Sequence, residues 1–525
     1  RENNPEQELA TPIVNRNFHG NSNTGNSPLD NSIAISNGGK IISVANNSIE
    51  FYSTSGSMLF TNSINGFFND ASITDVCDPV ILYDSGADKF IFFAQECSGN
   101  SATSSLLVCF SQTNDPSGNW WRYKFSGDPD GAGTWFDYPK LAVSTNELYI
   151  TGNSFSNDGH FQKALLFQIQ KNGGFAGNNI DWQYWTDIDG DPFTLLPVSF
   201  GQQGNYGPGI YLVSTESTGS SSIQLYDLSD DLTASDEQLL HYTIPTVAYS
   251  PAGNAGQFGT NTLLDNGDCR TLSGFYLNGI IHFVFHSDYS NGYNGINYNR
   301  LDVTTQKNTN STYGLEGYEY SYPAVASYAS SPNDKSVMIG FGRTGDSIYP
   351  EVRVVNCDDG MNWSSSVLVR EGEGYSDYTA NPGKPERWGD YTGISRKNNN
   401  SNPTLWMSGM YGTPDNDWST WIAEITGKET TATKEINARA DQLLVYPNPS
   451  SQDFNTSFEL TMDLHIRIDI HDEQGRIVKD LYDGEAQSGK NVFTFNTSSL
   501  AAGTYFISIT SNQQILKNEK IILAN

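Results

Sequence analysis

Positive charge, cysteine and long apolar runs are scarce in this 525-residue chain. Lys and Arg number 29 against 59 Asp and Glu, a formal net charge of −30. Such a chain repels phosphate, which excludes nucleic acid as a partner and disfavours anionic lipid. Cations, sugars and basic protein surfaces suit it better. No stretch approaches the roughly 18 consecutive apolar residues of a spanning helix, so membrane insertion is not expected. The five cysteines (Cys77, Cys97, Cys109, Cys269 and Cys357) are odd in number and sparse, so they form no disulfide framework. Cys77 and Cys97 flank a hairpin, and either bridge there or stay as free thiols. No Cys-x-x-Cys pair exists, which removes structural zinc and thioredoxin-like chemistry. Gly-x-Ser-x-Gly, His-Glu-x-x-His and Walker motifs are also missing. The chain opens on the polar run Arg-Glu-Asn-Asn-Pro-Glu-Gln-Glu, read as a mature exported chain whose leader has been removed rather than as a cytoplasmic protein.

What is present is glycine (49 residues), aromatic residues (12%) and short β-branched runs separated by Gly, Asn, Asp and Ser. Asn37-Gly38 and Asn278-Gly279 each sit between two such runs, where both residues tolerate the positive φ of a tight hairpin. Repeated groups of four short strands predict a β-propeller. First strands are expected near Ser32, Pro79, Pro139, Leu195, Leu272, Pro323 and Tyr391, which makes about seven blades. The last blade offers three strands of its own, and Thr11-Pro-Ile-Val-Asn supplies the outer strand that closes the ring. A β-sandwich array or β-helix is the alternative. The expected domains are a propeller over 1–427, a polar linker over 428–442 and a small Ig-like β-sandwich over 443–525.

Two segments carry a further pattern. Asn356-Cys-Asp-Asp-Gly-Met-Asn-Trp resembles the Asp box of sialidase-like propellers, with Asn in place of Ser and of Thr. Ser111-Gln-Thr-Asn-Asp-Pro-Ser-Gly-Asn-Trp resembles its longer variant. In such a turn Asp accepts backbone N–H bonds, Gly takes positive φ and Trp packs between sheets. These boxes are structural in that family and imply no activity.

The C-terminal segment is similar to the type A sorting domain of the type IX secretion system. The resemblance rests on Tyr446-Pro447-Asn448-Pro449, the Asp472-Glu-Gln-Gly475-Arg hairpin, Leu500-Ala-Ala-Gly503-Thr-Tyr-Phe, and a final stretch with Lys517 and Lys520. It implies a Bacteroidota protein that crosses the periplasm of a Gram-negative cell and is secreted or displayed on the surface. It also implies recognition by the translocon and its outer-membrane shuttle barrel, and removal by a sortase-like peptidase. The other reading is an Ig-like accessory domain that binds carbohydrate.

Candidate site residues come from aligning the blade starts. Asp78, Asp137, Tyr138, Tyr322, Trp388, Asp390 and Tyr391 all precede innermost strands, and Arg270 has a similar place in the fifth blade. In a propeller these segments crowd one mouth of the central channel. Aromatic faces with carboxylates and Arg suit carbohydrate. Asp78, Asp137 and Asp390 equally suit a cation, Ca²⁺ being the cofactor such oxygens take. The plain structural alternative is that each Asp caps backbone of a neighbouring blade. Asp187, Asp189 and Asp191 alternate like calcium ligands, but Pro192 and Val198 depart from the EF-hand pattern. His282 and His286 share a strand face about 13 Å apart, too far to chelate one metal. Asp346-Ser347-Ile348 matches the short O-glycosylation signal of Bacteroidota.

Three functions fit: a glycan- or protein-binding adhesin-like module, a glycan-active enzyme, and a protein-interaction platform. The enzyme would be a sialidase-like hydrolase or a polysaccharide lyase, and a sialidase would need an arginine triad assembled from residues such as Arg270, Arg343 and Arg387.

Overall fold

The computed structural model describes residues 11–427 apart from 26, 47, 71, 74, 235, 380–382 and 399–402, and residues 440–524 apart from 461–463, 473–475, 488 and 512–513. The described residues fall into two compact units, one on either side of residues 428–439.

The larger unit is a seven-bladed β-propeller. Seven four-stranded antiparallel sheets follow one another, with innermost strands Ser32–Ile35, Val76–Asp84, Thr134–Val143, Leu196–Pro197, Ser273–Leu277, Glu319–Ser327 and Gly393–Lys397. Each innermost strand touches those of the blades before and after it, and the seventh touches the first, so the ring closes. The sandwich-array and β-helix alternatives fall on this closure. Pro12–Ser22 pairs antiparallel with Trp418–Gly427 as the outer strand of blade 7, which ties the start of the ring to its end. Gly20 is required there, since a Cβ would lie 2.4 Å from Thr420 Oγ1.

Burial explains the strand composition. The second strand of blade 2, Lys89–Glu96, is buried on both faces. Phe90, Phe92 and Ala94 point into the core shared with blade 1, and Ile91 and Phe93 into the core shared with blade 3. Its sequence is therefore a continuous apolar run, whereas the outermost strand Trp120–Ser126 is mostly exposed between buried ends. Both Asp boxes join the two outer strands of their blades. Asp358 Oδ1 accepts the Asn362 N–H at 2.8 Å, and Trp363 meets Tyr313 of blade 5 at 5.1 Å between ring centroids. Asp115 Oδ1 accepts the Ser117 N–H, and Trp120 packs on Phe67. One expectation is corrected: neither Gly360 nor Gly118 takes positive φ, and at the blade 6 box Met361 does so instead (φ 63°). Cys77 and Cys97 form a disulfide, which ties the start of blade 2 to the end of its second strand, while Cys109, Cys269 and Cys357 are free and buried.

Blade 4 is irregular. Its innermost strand is two residues long, and the segment after it runs across the lower end of the channel. Gln203 donates to Ser85 O (2.6 Å) and accepts from Asn37; Gln202 donates to Ala329 O; Tyr206 O accepts from Thr145 N. Blades 1, 2, 3 and 6 thus hold this segment as a floor. Below the mouth, all seven blades line a cavity of about 260 Å³. Asp84 anchors the floor: its carboxylate accepts from Asn205 Nδ2 (2.9 Å) and from the N–H groups of Gly86 and Ala87, and pairs with Lys171 Nζ at 2.6 Å. Both members of that ion pair are almost wholly buried, so removing one strands the other. Asp84→Ala is expected to cost about 3–5 kcal/mol of propeller stability in a urea titration. Asp84→Leu combined with Lys171→Met is expected to recover much of that loss.

Candidate functional site

The approach to the channel is built from one repeated conformation. Asp30, Asp78, Tyr138, Thr194 and Tyr322 hold equivalent places two residues before their innermost strands begin regular pairing. All five are left-handed, with φ of 48°, 50°, 60°, 73° and 47°. In blades 2, 3 and 6 the next residue is proline and the ladder slips across it. Such a conformation costs a non-glycine residue about 1–3 kcal/mol, and repeated strain of this kind clusters at functional sites. Here it turns the chain sharply over the mouth and swings the flanking side chains toward the axis.

Six of the eight candidates gather there: Asp78, Asp137, Tyr138, Arg270, Asp390 and Tyr391. Asp78 and Asp137 share a hydrogen bond between their carboxyl groups. Gln95 Nε2 donates to both, at 3.0 and 2.7 Å. Asp30, absent from the sequence candidates, accepts from Asn46 Nδ2 (2.7 Å) and from the Asp390 N–H (2.8 Å). Burial pushes Asp30 up to about 7, with repulsion from Asp390 adding to it. Burial, then the charges of Asp137, Asp30 and Asp390, hold Asp78 well above the carboxylate range. Asp78 thus holds its proton. Burial raises Asp390 as well, against the opposing pull of Arg387 and Arg270.

The cations are already engaged. Arg270 grips Asp268 with two hydrogen bonds of 2.8 and 2.6 Å, and Arg387 pairs with Asp390. Lys140, a second residue not singled out from sequence, lies over the rings of Tyr391 (4.2 Å) and Tyr138 (4.8 Å) and donates to Leu272 O. Burial and the Arg270 charge lower it to about 7. Two polar atoms at the mouth are enclosed without a protein partner, Tyr391 Oη and Gln95 Oε1. Buried polar atoms are normally satisfied, so these two mark where a ligand or water would bind.

Tyr322 and Trp388 serve packing instead. Both lie in an apolar cluster with Leu29, Met410 and Trp418, and the Tyr322 hydroxyl donates to Asp265 O. Asp187, Asp189 and Asp191 are all exposed around a turn. Among the described residues no three His, Cys, Asp or Glu side chains are arranged to hold a metal ion. At the mouth, the Gln95 amide lies between the carboxylates that such a cation would need. His282 and His286 are buried in the core, bound to the Tyr298 hydroxyl and the Tyr322 N–H.

The C-terminal unit packs a three-stranded sheet (Ala440–Tyr446, Asp453–Leu460, Gly489–Asn496) against a four-stranded one (Leu464–His471, Ile477–Ala486, Gly503–Ser511, Gln514–Leu523) around Phe454, Phe458, Ile468 and Ile509. Asn448 binds the last strand twice, donating to Lys520 O (2.8 Å) and accepting from Ile522 N–H (2.9 Å), which fixes Tyr446-Pro447-Asn448-Pro449 against it. Gly503 starts the strand beside it; Lys517 and Lys520 lie on the final strand, and Gly475 falls outside the described residues. Residues 444–524 match the family described as the secretion system C-terminal sorting domain. The chain is exported cargo. Its tail is that of the type IX system, whose cargo passes through the periplasm to the cell surface or the medium.

No curated protein matches the chain. Among solved structures, it is similar to a protein of unknown function from Dyadobacter fermentans (9% identity, TM-score 0.36, 79% of this chain and 99% of that one). It is also similar to a Penicillium chrysogenum α-L-arabinanase complexed with arabinobiose (8%, 0.39, 78% and 98%) and to a mutant Trypanosoma rangeli sialidase (10%, 0.34, 86% and 83%).

The mouth carries a pH signature. Asp30 gains a proton on folding, so its contribution to stability is complete below the unfolded carboxylate range and is lost as pH rises through 7. Lys140 acts in the opposite sense, above pH 7. Asp30→Asn, scanned by thermal melting between pH 4 and 7, is expected to fall less steeply with rising pH than the natural protein.

Proposed function

We propose that the exported propeller captures a neutral glycan at its channel mouth, as a secreted or surface-displayed adhesin-like module. The supporting observation is that each cation described there is already spent: Arg270 on Asp268, Arg387 on Asp390, and Lys140 on two tyrosine rings and a carbonyl. An anionic sugar would enter a field of carboxyl groups with no free counter-charge. The groups that remain are the Tyr391 hydroxyl and the Gln95 carbonyl, with the partly exposed Asp137 carboxyl beside them, and these suit sugar hydroxyls as donors and acceptors. The sialidase and uronate-lyase readings lose their support on the same ground. Arg343, the third arginine of a triad, pairs with Glu351 within blade 6.

A second reading is hydrolysis of that glycan. It is favoured by the protonated Asp78 carboxyl as a general acid, with Asp390 rather than the hydrogen-bonded Asp137 as the second carboxyl, since glycoside hydrolysis needs its two carboxyl groups about 5–9.5 Å apart. In either case the sorting tail would be read by the translocon and its outer-membrane shuttle barrel and cut by a sortase-like peptidase.

Calorimetric titration of the full chain is expected to detect neutral oligosaccharides and not uronate ones. Asp137→Ala should abolish that binding while the melting temperature holds. Product masses after incubation separate capture from hydrolysis. Deleting residues 443–525 should leave a folded propeller inside the cell envelope, detected by fractionation.

A further inference from the structure

We propose that the ligand is a polymeric glycan, and that it lies along a track of aromatic rings leading from the mouth across the top of blade 3. This rests on the carbohydrate reading above. Trp135, Phe155 and Phe161 come from three adjacent strands of blade 3. Trp135 pairs with Phe155, and Phe155 with Phe161. Paired residues share a face of a sheet, so the three rings stand together on it: Trp135 stacks on Phe155 (centroids 5.2 Å apart, 29°), and Phe161 stands near-perpendicular to Phe155 (6.0 Å, 70°). Phe193, the residue before the left-handed Thr194 of blade 4, meets Phe161 edge-on at 4.9 Å. The Arg270 guanidinium then lies over Phe193 at 4.7 Å and over Tyr138 at 4.3 Å, and Tyr138 meets Tyr391 at 5.2 Å. Six rings and one guanidinium thus form an unbroken series that runs from the first strand of blade 3 out to its third and returns by way of Phe193 and Arg270 to the axis.

Three observations separate this track from ordinary core. First, Trp135, Phe155, Phe161, Phe193, Arg270 and Tyr391 all stay partly exposed, and Tyr138 is the one buried link. Phe136, one residue along from Trp135, points the other way, is 1% exposed and packs on Phe93 and Phe167. The core takes alternate residues of this strand and leaves Trp135 outside it. Second, the polar edges are already tied down. Trp135 Nε1 donates to Ser156 O at 3.0 Å, and Asp268 holds Arg270 by two bonds, so neither group competes for a polar partner along the track. Third, the track ends at groups that want a polar partner, Tyr391 Oη and Gln95 Oε1, the latter on a side chain only 1% exposed. Flat apolar faces take the C–H faces of sugar rings, and a few convergent polar atoms fix their register. The spacing between successive rings is comparable with one pyranose unit, so a chain of several units can engage the track where a single sugar cannot.

The test is a titration of the full-length protein with neutral xylo-, cello- and arabino-oligosaccharides running from the disaccharide to the hexasaccharide. In the natural protein, affinity for one of these series should rise by about tenfold or more with chain length. Trp135→Ala and Phe161→Leu should flatten that rise and leave disaccharide affinity unchanged; Phe161→Leu keeps the apolar bulk and removes only the flat face. Equal affinity for short and long members, or a length gain that survives both variants, would overturn the track while leaving the mouth as a site. No binding by any member would instead overturn the carbohydrate reading on which the track rests.

Discussion

Each propeller sheet has two apolar faces, and no blade can bury its own. That constraint governs the larger unit. Phe90 and Phe92 need blade 1 as much as Ile91 and Phe93 need blade 3, and the demand is passed round until the seventh sheet meets the first. Closure in turn forces seven innermost strands onto one axis, where their leading residues cannot avoid each other. Asp30, Asp78, Asp137 and Asp390 are crowded by this geometry, and the raised proton affinities of Asp30, Asp78 and Asp390 follow from burial and mutual repulsion. The site is thus a by-product of ring closure that the left-handed turns then shape.

The two units solve burial in different ways. The C-terminal unit needs no neighbour, because its two sheets face one another over a shared core of Phe and Ile. Their outward faces keep exposed apolar residues, among them Leu444, Tyr446 and Val492. A tail that folds by itself can be carried by unrelated cargo, which fits a sorting role better than a catalytic one.

Much of this was legible in the residues. Proline after the left-handed turn marks blades 2, 3 and 6, so Asp78, Tyr138 and Tyr322 stood out as blade starts. Asp30 lacks that mark because Asn31 follows it, and its likeness to Asp78 emerges only from φ. Gln95 sits in an apolar strand and Lys140 just past a proline, places where periodicity says nothing about what the side chain meets across the axis. Trp388 was read as facing the mouth because it neighbours Asp390, yet its bulk is drawn into the apolar cluster it shares with Tyr322. The series from Trp135 to Phe193 was invisible for the same reason: pairing register and blade contact, not spacing, bring those rings together.

The blade 4 segment that crosses the channel has one more consequence. With Gln202 and Gln203 fastened to blades 1, 2 and 6, chain crosses the channel at the end opposite the mouth. A glycan held at the mouth, as proposed, would leave by the side from which it came. A long molecule can be laid over this protein like thread over a spool's rim, but it cannot be drawn through the eye.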